Sequence, residues 1–316
     1  MDALPYLVHG ITLALAWFLL LNVVATASLA LLANLLTRHS RAASPGFWLG
    51  LRLLPAALSI VFVAAVFLPS YWRYEPRESV EGFDVSLTAL ALLAIAIVGA
   101  AIVRGVAAWR RAAHRTDVWM RAARPLTLAG STIPAFAIDT DAPVMALVGV
   151  LRPRLLVTRP VLETLTGEEL RACVAHEVGH WHARDNLKRL AMRAAPDLFS
   201  ATKAARAIER RWAAASEHAA DRDAGRSSSE RCALASALVK VARLTPPVNS
   251  LAEPISALVD GGDITSRVQR LLDDGPSAGG GRLRWLALTI PALALWYTPI
   301  LQTVHAVTEI LVNTLP

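Results

Sequence analysis

The chain has 316 residues, 54% of them hydrophobic and 6% aromatic, with a formal net charge of +7. An apolar share above the roughly 45–50% of ordinary soluble domains excludes a single soluble globule and points to a membrane. The basic excess gathers beside the ends of apolar runs with few aromatics interleaved, so positive-inside topology explains it better than a nucleic-acid surface, and no direct nucleic-acid contact is expected.

Four apolar runs follow in chain order. From Tyr6 to Thr37 there is no Asp, Glu, Lys or Arg, well beyond the roughly 20 residues that cross a bilayer. A run that long, with no basic residue ahead of it, is an anchor rather than a cleaved signal. Transmembrane helices are predicted at 7–36, 53–72 and 85–108, and a fourth from Trp285 to Thr308, which Pro291 and Pro299 kink without breaking. Arg38, His39, Arg41 and Arg52 place the first loop inside. The 71–85 loop sets Arg73 and Arg77 against Glu75, Glu78, Glu81 and Asp84 and belongs outside. Arg104, Arg110, Arg111, Arg115, Arg121 and Arg124, opposed by Asp117 alone, return the chain inside. The N-terminus is thus expected outside, with three helices in 1–108, a cytoplasmic domain in 109–283, and a fourth helix with a short extracytoplasmic tail in 284–316. Cys173 and Cys232 fall in the inside segment, where no disulfide is expected, and both read as small core residues.

Within the cytoplasmic segment the third helix should continue to about Arg124. Short apolar runs at 126–128, 135–138, 145–150 and 155–158, separated by Gly, Pro and Asp, read as a small sheet. Thr166-Gly167-Glu168-Glu169 is a helix-start signal, a capping threonine three positions before a glutamate. That helix should run to about Leu190. Further helices are expected at about 201–224, 230–244 and 264–272, and 275–281 is a Gly-rich linker.

The helix begun at Thr166 carries His176-Glu177-Val178-Gly179-His180. Histidines four apart lie about 40° apart around a helix and roughly 6 Å along it, so both can reach one metal ion. A glutamate between them can act on a metal-bound water, the H-E-x-x-H arrangement of zinc peptidases. Glu177, flanked by Val174, Ala175, Val178 and Trp181, is an awkward surface residue. Such a site needs a third protein ligand, and the strongest candidate is Glu217, with Asp221 four residues on to orient a ligand imidazole. The competing reading is a solvated acidic edge on a basic helix. Asp185, about 140° around from His180, is off the metal face unless the helix has ended, and pairs with a basic neighbour or fixes the helix exit. His182 and His218 should face away. Ala146, Leu147, Val148 and Gly149 are the candidate strand for holding an extended peptide by β-augmentation, with plain sheet core as the equal alternative.

The ordered set Ala142-Pro143-Val144, Gly149, Leu151 to Val157, Leu165 to Leu170, His176 to His180, Arg184-Asp185 and Glu217 to Asp221 resembles the BlaR/MecR-type integral-membrane zinc peptidases. The resemblance implies a mainly α membrane protein in which four transmembrane helices carry a cytoplasmic α+β zincin-like (gluzincin) domain between helices 3 and 4. It implies one Zn2+ per chain on His176, His180 and Glu217, Glu177 as general base, and Asp221 and Asp185 in support. It further implies a bacterial plasma-membrane setting and a cytosolic BlaI/MecI-like repressor as protein substrate. The best-known members continue into an extracellular penicillin-binding sensor domain, whereas this sequence stops at Pro316, so the signal is expected through the helices, the 71–85 loop, the tail or a partner. Two rival readings are a heat-shock-type quality-control metallopeptidase and a catalytically silent transducer with a structural metal. Sequence leaves the oligomeric state open.

Overall fold

The first apolar run forms one helix, α1 (Ala3–His39). The second begins earlier than its apolar core, because Ser44 caps it through an acceptor bond from Phe47 N–H and Pro45 occupies the first turn, where its missing N–H costs nothing. It runs as α2 (Pro45–Phe62), a π-helical turn (Val63–Phe67) and α3 (Leu68–Tyr74). The third, α4 (Val85–Arg121), starts at Asp84, whose carboxylate accepts from Ser86 and Leu87 N–H, and continues far past its apolar part. The computed structural model describes residues 3–39, 43–76, 84–244, 256–257, 264–273 and 286–314. Three stretches among them, Leu4–His39, Pro45–Tyr74 and Val85–Arg121, are long and apolar enough to cross a membrane. The fourth predicted run is the helix α11 (Leu286–Thr314). It lies along α3 and the turn before it, with Tyr297 OH donating to Ala65 O and Ser70 Oγ to Leu301 O. Arg41, Arg77, Glu78, Glu81 and the 275–281 linker lie outside the described residues.

Beyond α4 the chain forms a five-stranded sheet in the order β1-β2-β4-β3-β5. The strands are β1 (Ala123–Leu126), β2 (Ala135–Ile138), β3 (Met145–Val148), β4 (Arg154–Thr158) and β5 (Ser256–Ala257). Among the described residues only the β2–β4 pair is parallel. The first strand lies upstream of the apolar 126–128 run, because Ala123 pairs with Ile138 and Leu126 with Ala135; backbone register, not side-chain polarity, sets its ends.

Helices α5 (Arg159–Thr164), α6 (Gly167–Ala183), α7 (Asp185–Ala194), α8 (Lys203–Ala224), α9 (Ser228–Leu244) and α10 (Ile264–Leu272) cover the sheet and one another. The single helix expected from Thr166 to about Leu190 is two: Arg184 adopts φ 55°, the left-handed conformation that ends α6. One core packs β2–β4 against α6 and α9 around Leu155, Cys173, Leu234 and Leu238. Cys173 belongs to it, but Cys232 is exposed, so the expectation that both cysteines are core residues is corrected.

A second core joins the long apolar helices to the rest: Leu29 of α1 and Trp48 of α2 pack with Met192, Phe199, Ile208 and Trp212. Polar bonds reinforce this seam. Arg52, only 1% exposed, donates to Glu209 Oε1 (2.7 Å), Asp197 Oδ2 (3.1 Å), Ser200 Oγ (2.8 Å) and Met192 O (2.8 Å). Asn22 donates to Pro196 O and accepts from Leu198 N–H, and Arg104 donates to Ala195 O. Side chains of α1, α2 and α4 thus grip the bridge between α7 and α8. Arg52, read as a charge at a membrane edge, is a buried partner of two carboxylates instead.

Candidate metal centre

The capping box places the site. Thr166 Oγ1 accepts from Glu169 N–H (3.3 Å) while Glu169 Oε2 accepts from Thr166 N–H (2.8 Å), starting α6 in a fixed phase. That phase turns His176, Glu177 and His180 into the protein, each 0–1% exposed. Gly179 lets α8 approach: a Cβ there would stand 3.4 Å from Ala220 Cα. The close crossing brings Glu217 over the two imidazoles.

The ligand atoms converge. His176 Nε2 is 3.2 Å from His180 Nε2 and 3.5 Å from Glu217 Oε2, and His180 Nε2 is 3.4 Å from Glu217 Oε1. The edge of a tetrahedron with bonds of about 2.0–2.1 Å is about 3.4 Å, so one ion fits between them. Neither Glu217 oxygen receives a well-directed hydrogen bond, although both are buried, and buried acceptors rarely go unsatisfied without a reason such as an ion. The donor set fits zinc.

Each outer ring nitrogen faces a carboxylate. His176 Nδ1 lies 2.9 Å from Asp221 Oδ1, and His180 Nδ1 lies 2.7 Å from Asp185 Oδ2. An Nδ1–H held this way leaves the Nε2 lone pair free for a metal. Asp185 reaches His180 because α6 ends at Ala183: the left-handed Arg184 folds the chain back, and the rotation counted along a continuous helix does not apply. Asp185 also accepts from Ser216 Oγ and pairs with Lys188. His182 is exposed beside Trp181, and His218 contacts Arg270, away from the ligand atoms.

Glu177 stands apart from the ligands. Its Oε2 accepts from Leu147 N–H at 3.1 Å, while its Oε1 is buried without a hydrogen-bond partner. Burial pushes its pKa up to about 7, against the pull of His176 and His180. A carboxylate poised near neutrality with one free oxygen suits proton transfer.

Two contributors escaped the sequence reading. Arg267 of α10, 5% exposed, donates to both Asp221 oxygens (2.8 and 2.6 Å), and its Nη1 stands 3.1 Å from Glu217 Oε2. Asn186 donates to Leu147 O and Gly149 O, tying the end of β3 to α7. The only sequence trace of Asn186 is its place after Arg184-Asp185, and Arg267 leaves none beyond a basic residue on an amphipathic helix. Ala146, Leu147 and Val148 are buried in β3, and Gly149 follows at φ 89°. Their strand is not an open edge throughout, since β5 pairs with Ala146 and Leu147. Beside them a cleft of about 240 Å³ is lined by Gly149, Leu151, Trp181, Arg184 and Asn186, with His180 on its wall.

No curated protein matches the chain. Residues 110–213, which hold β1 to β4, the whole of α6 and α7, and thus His176, Glu177, His180 and Asp185 but not Glu217, match the family model described as Peptidase family M48, and this match supports a metallopeptidase function for the centre.

Proposed function

We propose that the chain is a membrane-embedded zinc metalloendopeptidase of the BlaR/MecR type, cutting a cytoplasmic protein, a transcriptional repressor, in signal transduction. In this reading α11 is a fourth crossing, the N-terminus lies outside, and the domain between α4 and α11 is cytoplasmic. The observation that carries the peptidase reading is the set of three ligand atoms 3.2–3.5 Å apart with an unpartnered Glu177 oxygen on the same helix. The ordered motifs from Ala142 to Asp221 support the repressor substrate.

Zinc on His176, His180 and Glu217 would polarise a peptide carbonyl and acidify a water. The protein supplies the rest. Glu177 Oε1 accepts the water's proton and returns it to the departing amine, while Oε2 stays on Leu147 N–H. Asp221 and Asp185 fix the rings that hold the ion, and Arg267 fixes Asp221. A peptide laid along β3 takes the place of Ser256–Ala257 at Ala146 and Leu147, with the cleft beside His180 open to its side chains.

Glu177→Gln tests the reading. With the purified full chain, this variant should bind zinc as the wild type does, lose cleavage by a factor on the order of 100 or more, and retain the uncut substrate in a pull-down. Cleavage at the wild-type rate removes Glu177 as the base, whereas a wild-type chain that binds zinc but cuts nothing leaves the silent-transducer reading standing. Retention of many unfolded membrane proteins in place of one small DNA-binding repressor selects the quality-control reading.

A further inference from the structure

A second group of metal-competent side chains lies at the other end of the helix bundle. The peptidase core meets α2 at its Pro45 end, through Trp48 and Arg52, whereas Glu75 follows the last turn of α3 at the opposite end, where the tilted rings of Tyr6 and Tyr71 lie 4.8 Å apart. Facing Glu75 are His305 and Glu309 of α11, four residues apart and therefore on one helical face. One ring nitrogen and one oxygen from each carboxylate all lie within 4.8 Å of one another.

Three independent features point to an ion. First, His305 Nδ1 is 3.7 Å from Glu75 Oε2, too long for a hydrogen bond but close to the spacing of two ligands on one metal with bonds of about 2.0–2.2 Å. Second, the Glu75 side chain is 8% exposed and His305 26%, and Glu309 is half-buried, so the three metal-competent groups converge partly out of water, where a bound cation would offset the two carboxylate charges. Third, His305 falls inside the fourth predicted span, and ionisable side chains in such segments are rare and mark function. The Tyr74 ring, stacked on His305 at 5.9 Å and 30°, fixes the plane of the imidazole.

We propose that Glu75, His305 and Glu309 form a second metal site that takes a divalent transition-metal ion of the zinc class and ties α3 to α11. One nitrogen and two oxygens suit zinc and its first-row neighbours better than calcium or magnesium, which favour oxygen-only shells. The site shares no residue with the His176 centre, and the proposal does not rest on the peptidase reading.

The test is a zinc count on the full-length chain in detergent, equilibrated with zinc chloride, freed of excess metal by gel filtration and analysed by mass spectrometry. Wild type should hold about two ions per chain, while H176A/H180A and H305A/E309Q should each hold about one. A wild-type count of about one that H305A/E309Q leaves unchanged overturns the proposal, as does a second ion that survives H305A/E309Q. A ligand exchange guards against misfolding of the double variant. In a C232S background loaded with cobalt, H305C should gain a thiolate-to-cobalt charge-transfer band that E75Q removes. Absence of that band in a chain that still binds cobalt at the His176 centre also overturns it. The H176A/H180A arm separates the two centres, so failure of either leaves the other readable.

Discussion

In the protein alone, His180 is contested between proton and metal. Burial lowers its pKa, but the hydrogen bond to Asp185 and the nearby Glu217 carboxylate outweigh burial and raise it to about 10; His176 is raised in the same sense by Asp221 and Glu217. His180 therefore carries, at neutral pH, a proton that an incoming ion must expel, and His176 is biased the same way. The sign follows: affinity for zinc rises with pH, by about tenfold per unit for each proton displaced. Chelator competition between pH 6 and 8 should show that slope, and a flat profile means no proton leaves. Asp185→Asn removes the anion behind His180 and should weaken zinc binding about 10–100-fold; unchanged affinity would reduce Asp185 to a helix-exit role. At this scale the sequence was readable wherever partners sit on one helix. His176 and His180 are four apart, as are Glu217 and Asp221. Arg267 and Asn186 act on partners 46 and 39 residues away, a distance over which local spacing carries no signal.

Among the elements, α6 has a legible beginning and an illegible end. Its capping box is written in Thr166 and Glu169, whereas Arg184 is a poor advertisement for a left-handed backbone, so the break that swings Asp185 into place was hidden. Glu169 does more than cap: its carboxylate also accepts from Ser236 Oγ and Lys240 Nζ of α9. Burial would raise its pKa, but the Lys240, Ser236 and Thr166 bonds hold it at about 2, below the ordinary 4.5. A folded-state pKa below the unfolded one stabilises the fold fully above about pH 4.5, and the contribution fades as pH falls toward 2. Glu169→Ala should therefore cost about 1–2 kcal/mol at pH 7, with a smaller gap from wild type at pH 3 than at pH 5. Melting curves of both chains at the three pH values decide it, and a gap that does not narrow would assign the loss to packing. The strands were legible as apolar runs, but β5 was not, because a strand of two residues, Ser256–Ala257, is too short for its own pattern to mark and is defined by its pairing with β3.

For the whole molecule, composition announced the membrane, and three of the predicted spans are helices long and apolar enough to cross one. What composition hid is that the apolar helices and the peptidase core are one packed body. Arg52 satisfies Asp197 and Glu209, so Arg52→Met strands two carboxylates in the seam and should lower stability by about 3–5 kcal/mol. The measurement is thermal unfolding in detergent, followed by release of bound zinc; a chain that loses no stability would mean the seam is held by Trp48, Phe199 and Trp212 alone. Loss of zinc in the same transition as loss of helix would show that seam and metal centre unfold together.

The bridge gripped by Asn22, Arg52 and Arg104 gives the lipid environment a lever arm. Helices of fixed apolar length answer a thicker or thinner bilayer by changing tilt, and here three of them hold the few residues that separate α7, which begins with Asp185, from the helix bearing Glu217. A change of tilt is delivered to the stretch that leads into the helix bearing Glu217, the ligand that faces His176 and His180. We predict that zinc affinity of the reconstituted chain passes through an optimum as the acyl chains of the vesicles are lengthened, and that Asn22→Ala flattens the curve. Bilayer thickness would then be an input to the site in its own right, read out as coordination geometry.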